Sequence, residues 1–334
     1  MTGTSRATAV VRGSPGGPSP STERARAFVA DRLERAEGLG RGLGDQVQNP
    51  SDLAAGLRAA LVELADPDYR AGQQFVAPGI GPTHGVRSPL LGAIGRGFRA
   101  ATRGDSPATL LYVADRLLGE PEGEARWFGI RILERTLPRE PERSWQLLRR
   151  ASREATDWIT VDTLAHPAGK GVIAEPYRWA ELEQLVYAPS RWERRLVGST
   201  IATIPFVNKT AGRDPAVAAR GLELLGLLIG DAEPDVQKAL AWAYRSMAMV
   251  DLPAATAALE VEAELAAGTA DGHRAWVIRD VLEKLDPGEA ARLRARLDGI
   301  RRRPGAPSTS AAAATAARFA DFSLGGPMPE PPLT

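Results

Sequence analysis

The sequence predicts an all-α fold, an α-solenoid of stacked helix pairs. Three observations carry this. From about residue 22 to 302 the apolar residues recur with the helical period. Hairpin dipeptides between alternating apolar runs, the usual mark of β-structure, do not appear. Every second helix start from 107 falls at 107, 141, 175, 213, 252 and 287, one repeat every 34–39 residues. That spacing is typical of HEAT-like or armadillo-like repeats, whose stacking leaves an extended concave surface. The repeats share no consensus, so an irregular helical bundle stands as the other arrangement.

Helices are expected at 22–44, 51–66, 88–103, 107–119, 123–137, 141–152, 156–166, 175–187, 191–207, 213–229, 233–249, 252–267, 271–286 and 287–301. Their boundaries have chemical causes. Asn49-Pro50-Ser51, Gly104-Asp105-Ser106-Pro107, Leu137-Pro138, Gly230-Asp231 and Asp286-Pro287 each read as a stop followed by a cap. Residues 1–21 and 304–334 are rich in Pro, Gly, Ser, Thr and Ala. Such segments bury too little apolar surface to offset their ordering entropy, so disordered tails are expected around one domain at 22–303. The run Ala9-Val10-Val11 is far short of a signal-peptide core. No stretch approaches the roughly 18–20 apolar residues of a membrane span. A cytoplasmic, monomeric protein with no membrane partner is expected.

Composition narrows the chemistry. Lys and Arg number 42 against 41 Asp and Glu, so any nucleic-acid surface must come from local charge segregation. Only Lys170, Lys209, Lys238 and Lys284 are lysines; the other cations are arginines. The absence of cysteine excludes disulfides, thiolate catalysis, Fe–S clusters and Cys-ligated zinc. His84, His166 and His273 lie too far apart for a helical metal motif, which leaves a metal site open but gives it no support.

Four segments carry residues that do not belong to a core stripe. In 88–103, Leu90, Leu91, Ile94, Phe98 and Ala101 share one apolar arc, while Arg96, Arg99 and Arg103 cluster opposite. Four arginines and no acid lie between 84 and 104, which suits either a solvated face or a phosphate surface. In 156–166, Trp158 and Asp162 are i and i+4 and therefore adjacent. The pair reads as a partly desolvated carboxylate beside an indole, or as an Asp bonded to a nearby amide. Residues 187–221 hold Arg191, Arg194, Arg195, Lys209, Arg213 and Arg220 against Glu193 and Asp214. In 233–249 the stripe is Val236, Leu240, Ala243 and Met247, and Trp242 points away from it with Arg245 one turn on. Trp242 can pack on a neighbouring repeat or show its face to a ligand beside an anion contact.

The order G-V-x-S-P-x-L (Gly85 to Leu91), W-x-x-x-D (Trp158, Asp162), W-x-x-R-R (Trp192 to Arg195) and Q-K-A-x-x-W-x-x-R (Gln237 to Arg245) resembles the AlkD-like DNA alkylation repair glycosylases. Trp127 to Leu133 is similar to the family's helix before the catalytic one, and the likeness covers roughly 70–286. Asp157 departs from the pattern, since the family often has an aromatic there. Phe75 is the nearest counterpart of an aromatic that the family often carries before the G-V-x-S-P motif, at longer spacing.

The resemblance implies a HEAT-like solenoid that holds duplex DNA on its concave face. It implies hydrolysis of the N-glycosidic bond of cationic N3- or N7-alkylated purines, without metal, cofactor or a base pocket. Some relatives remove bulky natural-product adducts as self-resistance. The family's catalytic trio carries over to Trp158, Asp162 and Trp242. DNA contacts are expected from Arg87, Ser88, Arg194, Arg195, Lys238 and Arg245. Two other classes compete: a non-catalytic DNA-binding solenoid, which has no need of the carboxylate, and a protein scaffold, which would show no salt-dependent DNA binding.

Overall fold

A computed structural model describes residues 20–77 and 79–319. They contain sixteen α-helices and no strand. In chain order these are α1 (Pro20–Gly44), α2 (Pro50–Glu63), α3 (Pro67–Val76), α4 (Ser88–Ala101), α5 (Pro107–Leu118), α6 (Gly123–Thr136), α7 (Pro141–Glu154) and α8 (Trp158–Ala174). They continue as α9 (Arg178–Val186), α10 (Arg191–Val207), α11 (Pro215–Leu228), α12 (Pro234–Val250), α13 (Leu252–Thr269), α14 (Gly272–Val281), α15 (Pro287–Arg296) and α16 (Ala311–Ala317).

The starts are built locally. Asn49, Asp66, Ser106, Asp157, Ser190, Asp214, Asp251, Asp271 and Asp286 each accept a backbone N–H of the first turn that follows. Each such cap stabilises its helix by about 1 kcal/mol. The pairs then stack in two layers. One runs α6, α8, α10, α12, α14, and the other α5, α7, then α9, α11, α13, α15, with contacts along and between the layers. This is the expected helical-repeat solenoid. Its core is a continuous column of Leu, Ile, Val and Ala, with Phe98, Phe128, Trp145 and Tyr244 inside it.

Three features differ from the sequence reading. Helix α3 went unread because none of its residues is buried, so it has no apolar stripe to show. Helix α8 does not stop at Pro167 but continues to Ala174. A proline inside a helix removes one hydrogen bond, but Ala168 and Val172 beyond it are buried, and Gly171 lies against the Trp145 ring. Packing outweighs the local break. Finally, 304–319 does not behave as a free tail. Thr309 donates its amide to the Gly230 carbonyl at 2.8 Å, His273 Nε2 meets the Ala306 carbonyl at 3.1 Å, and Ser310 caps α16. The segment is held by polar groups at helix ends, a source of order that its low apolar content does not reveal. The remainder of the two expected tails, 1–19 and 320–334, lies outside the described residues.

Candidate active site

Helix α8 begins at a fixed point. The Asp157 side chain accepts the Thr160 amide at 2.8 Å and the Thr160 hydroxyl at 2.7 Å. Trp127 Nε1 donates to the same hydroxyl at 3.2 Å, and Arg126 lies 3.6 Å from Asp157. Asp157 is buried under these partners, so it works as a cap and adds no acid to the rim of the site. Trp158 is thereby the first residue of the helix, and Asp162 follows one turn later on the same face. Both are half-buried.

Three donors converge on Asp162. Arg195 forks onto it, Nε to Oδ1 at 3.0 Å and Nη2 to Oδ2 at 2.8 Å, and Ser199 Oγ donates to Oδ1 at 2.6 Å. All three are side-chain donors, so the carboxylate is not held by a neighbouring backbone amide. A bidentate guanidinium fixes a carboxylate in direction as well as position. The Asp162 side chain keeps 20% of its surface exposed, whereas Arg195 keeps 6%. The carboxylate therefore faces outward from a buried support. The Arg195 guanidinium also stands 5.8 Å from the Trp158 ring centre.

Arg195 reaches a third helix. Its Nη1 donates to the Asp235 carbonyl in the first turn of α12 at 2.6 Å. Residues 235, 238, 242 and 245 repeat at helical spacing along one face of α12. Trp242 lies on the face that receives Arg195, half-buried, with its apolar side against the core. Arg245 beside it pairs with Asp280 on α14. Lys238 is exposed and makes no ion pair among the described residues. One arginine thus ties together the faces of α8, α10 and α12 that bear Trp158, Asp162 and Trp242.

The family model for DNA alkylation repair enzymes matches residues 57–285. The chain belongs to this family. No curated protein and no solved structure matches it. The matched span runs from α2 to just beyond α14 and holds all four motifs, so membership in this DNA-repair enzyme family covers the whole candidate site. Helix α1 and the segment from α15 onward lie outside it.

Within that frame two of the expected DNA contacts have partners inside the protein. Arg194 turns inward, with Nε on Asp231 at 2.6 Å and Nη1 on the carbonyls of Ala188 and Pro189 at 2.9 and 2.8 Å. It closes the turn before α10. Arg195 supports the Asp162 carboxylate. Both were read as free cations because their partners are 37 and 33 residues away in the chain.

The G-V-x-S-P motif proves to be a loop clamp. Gly85 has φ +79, and a Cβ there would approach the Asp66 carbonyl to 2.6 Å. Glu124 Oε1 accepts the amides of His84, Gly85 and Val86 at 3.0, 2.8 and 3.3 Å. Glu124 is fully buried, and nothing in the sequence marks it apart from its exposed-looking neighbours. Arg87 is then held by Asp66 at 2.7 Å, over the Tyr69 ring. Burial pushes the Asp66 carboxyl up, but Arg87 and the amides of Tyr69 and Asp68 outweigh it and hold it below the usual carboxylate range. The Arg87 tie is therefore complete at neutral pH and is lost only as pH falls below the usual carboxylate range. Arg87 and Ser88 line a trough of about 770 Å3 together with Tyr69, Trp127, Arg131 and Trp158. Asp162 is not among the residues lining it. No helix is long and apolar enough to cross a membrane, and no group of His, Asp and Glu is placed to hold a metal, among the described residues.

Proposed function

We propose that this chain is a DNA glycosylase that hydrolyses the N-glycosidic bond of cationic N3- or N7-alkylated purines in duplex DNA. The observation that carries the reading is the outward-facing Asp162 carboxylate, locked by Arg195 and Ser199 beside Trp158. Departure of a cationic base leaves an oxocarbenium-like sugar, so positive charge grows at C1′. A carboxylate already oriented toward that position stabilises the charge without reorganising and can direct the attacking water. Indole faces carry negative π density, and Trp158 and Trp242 supply it to the same cationic centre. A positively charged leaving base needs little protonation, so one carboxylate suffices.

The carboxylate lies outside the trough, so this reading needs no pocket enclosing a flipped base. The trough beside Trp158 leaves room for a substituent larger than methyl on the excised base, which suits the self-resistance branch of the family. Arg87, Ser88, Lys238 and Arg245 would meet the DNA backbone, Arg87 and Arg245 by exchanging Asp66 and Asp280 for phosphate. The chain would act as a monomer in the cytoplasm, at the nucleoid.

The decisive measurement is release of 7-methylguanine, 3-methyladenine or a bulky N3 adduct from alkylated duplex by wild type and Asp162→Asn. Removal of one oxyanion-type electrostatic group typically lowers a rate by about 10²–10³, and that is the expected loss. Because Asn leaves Arg195 buried without its counter-charge, thermal unfolding and salt-dependent DNA binding are measured alongside. A folded variant that binds DNA and does not excise supports the reading. Undiminished release by the variant, or no release of any N3 or N7 adduct by wild type, refutes it. Binding without any excision by wild type would leave a non-catalytic DNA-binding solenoid.

A further inference from the structure

Helix α4 carries three glycines, and packing accounts for one. Gly97 sits where α4 crosses α1, with no room for a side chain. A Cβ at Gly95 would meet nothing within 4 Å, and one at Gly92 only the Arg96 guanidinium at 3.8 Å. Glycine is a weak helix former, so two of them on an open face call for a reason outside the core. They form one wall of a slot of about 210 Å3 between α4 and α6, over the edge-to-face pair Phe98 and Phe128.

Arg96, Arg99, Arg131 and Arg135 stand around this slot. Arg99 and Arg131 are exposed and make no ion pair among the described residues. Arg96 has only Glu37 at 3.6 Å, an acid that also holds Arg41 at 3.0 Å. Arg135 donates to the hydroxyl and carbonyl of Thr102 at 2.6 and 2.5 Å, and to no acid among the described residues. Burial, Arg99 and Arg139 together push its guanidinium down, opposed by Asp105. Four guanidinium groups are thus gathered with Glu37 as their one ion-pair partner among the described residues and Asp105 acting at longer range, an arrangement that an arriving anion relieves. Arg131 also lines the trough that Trp158 borders, so the slot opens onto the face carrying the candidate active site.

We propose that this slot is a clamp for a DNA backbone phosphate away from the scissile nucleotide, with Arg99 and Arg131 as its main contacts and the bare backbone at Gly92 and Gly95 admitting the strand. Guanidinium forks match phosphate oxygens in geometry and keep their charge at every working pH. The inference rests on DNA being the ligand of this face.

The test is duplex binding as a function of salt for wild type, Arg99→Gln/Arg131→Gln and Gly95→Leu. Each neutralised phosphate contributes about 0.9 to the slope of log affinity against log salt, so the double variant, which gives up the one clamped phosphate, should lose about 1 from that slope. Gly95→Leu fills the slot without a steric neighbour, so it should weaken DNA binding while its melting temperature does not fall. An unchanged slope in the double variant, or wild-type binding by Gly95→Leu, overturns the clamp while leaving the glycosylase reading intact. Absence of salt-dependent DNA binding by wild type overturns both. Stabilisation by inorganic phosphate that the double variant abolishes, with DNA binding unaltered, would make the slot a site for free anions and also overturn the clamp.

Discussion

One oxygen of Glu124 accepts three consecutive amides and thereby sets where α4 begins, and with it Arg87 and Ser88. Without that oxygen the loop at 84–86 keeps three amides beneath α6 with no acceptor. Leaving buried donors unsatisfied costs 1–3 kcal/mol each where no water replaces the partner, so Glu124→Ala should destabilise the protein by about 3 kcal/mol. Glu124→Gln, which keeps an acceptor oxygen, should cost clearly less. Denaturant unfolding measures both, and a loss below about 1 kcal/mol for the alanine variant would show that the loop holds itself. This residue illustrates what single-residue reading misses. In the sequence Glu124 stands with Glu120 and Glu122 as an apparently solvated acid. The two neighbours pair with Arg58, whereas Glu124 is turned wholly inside. Trp158, Asp162 and Trp242 were legible because their i, i+4 and off-stripe placements are local. The fates of Arg194 and Arg195 were not, because a cation's availability depends on which acid the fold brings to it.

At the scale of elements, most helices follow from periodicity and caps, and the exceptions have packing causes. Helix α1 shows this best. It reads as a glycine-rich helix, Gly38, Gly40, Gly42 and Gly44, which propensity alone makes weak. The fold separates these glycines. A Cβ at Gly40 would overlap the Ile94 carbonyl, and one at Gly44 the Ala101 methyl, while Gly38 and Gly42 have nothing within 4 Å. Helices α1 and α4 therefore run in close contact along Glu37–Gly44 and Ile94–Ala101. Gly40→Ala should destabilise by about 2 kcal/mol through overpacking, whereas Gly42→Ala should stabilise by about 0.5–1 kcal/mol through propensity. Thermal or denaturant unfolding of the two single variants decides it, and equal effects would refute the contact. Helix α3 completes the contrast. Its cap at Asp66 is local and readable, but with no buried residue it gives periodicity nothing to detect.

At the scale of the molecule, the repeat spacing was legible because each helix pair must bury the same faces against the same neighbours, and this fixes its length. The closing of the C-terminal end was not legible, because it uses polar groups in place of an apolar stripe. Arg302 donates to Gln237 Oε1 at 2.6 Å, and Gln237 Nε2 donates to the Asp231 carbonyl at 2.6 Å and meets His273 Nδ1 at 3.0 Å. Ser308 and Thr309 donate to the Gly230 carbonyl, and Thr309 also to Asp271. Residues 302–310 thus cross the ends of α11 and α13 and reach the first turn of α12, the helix that carries Lys238, Trp242 and Arg245. Gln237 belongs to the Q-K-A-x-x-W-x-x-R motif, yet its partner Arg302 lies beyond the family-matched span. The strap should hold the start of α12, and through the Asp235 carbonyl the Arg195 fork, in register. A chain ending at Ile300, compared with one ending at Phe319, loses several hydrogen bonds worth about 1 kcal/mol each, and its melting temperature should fall by roughly 6 °C. Amide exchange should rise first at 230–237, where the strap seats, before it rises in the core helices α8 and α10. Unchanged melting and unchanged protection at 230–237 would mean that α12 is positioned by its own packing against α10 and needs no strap.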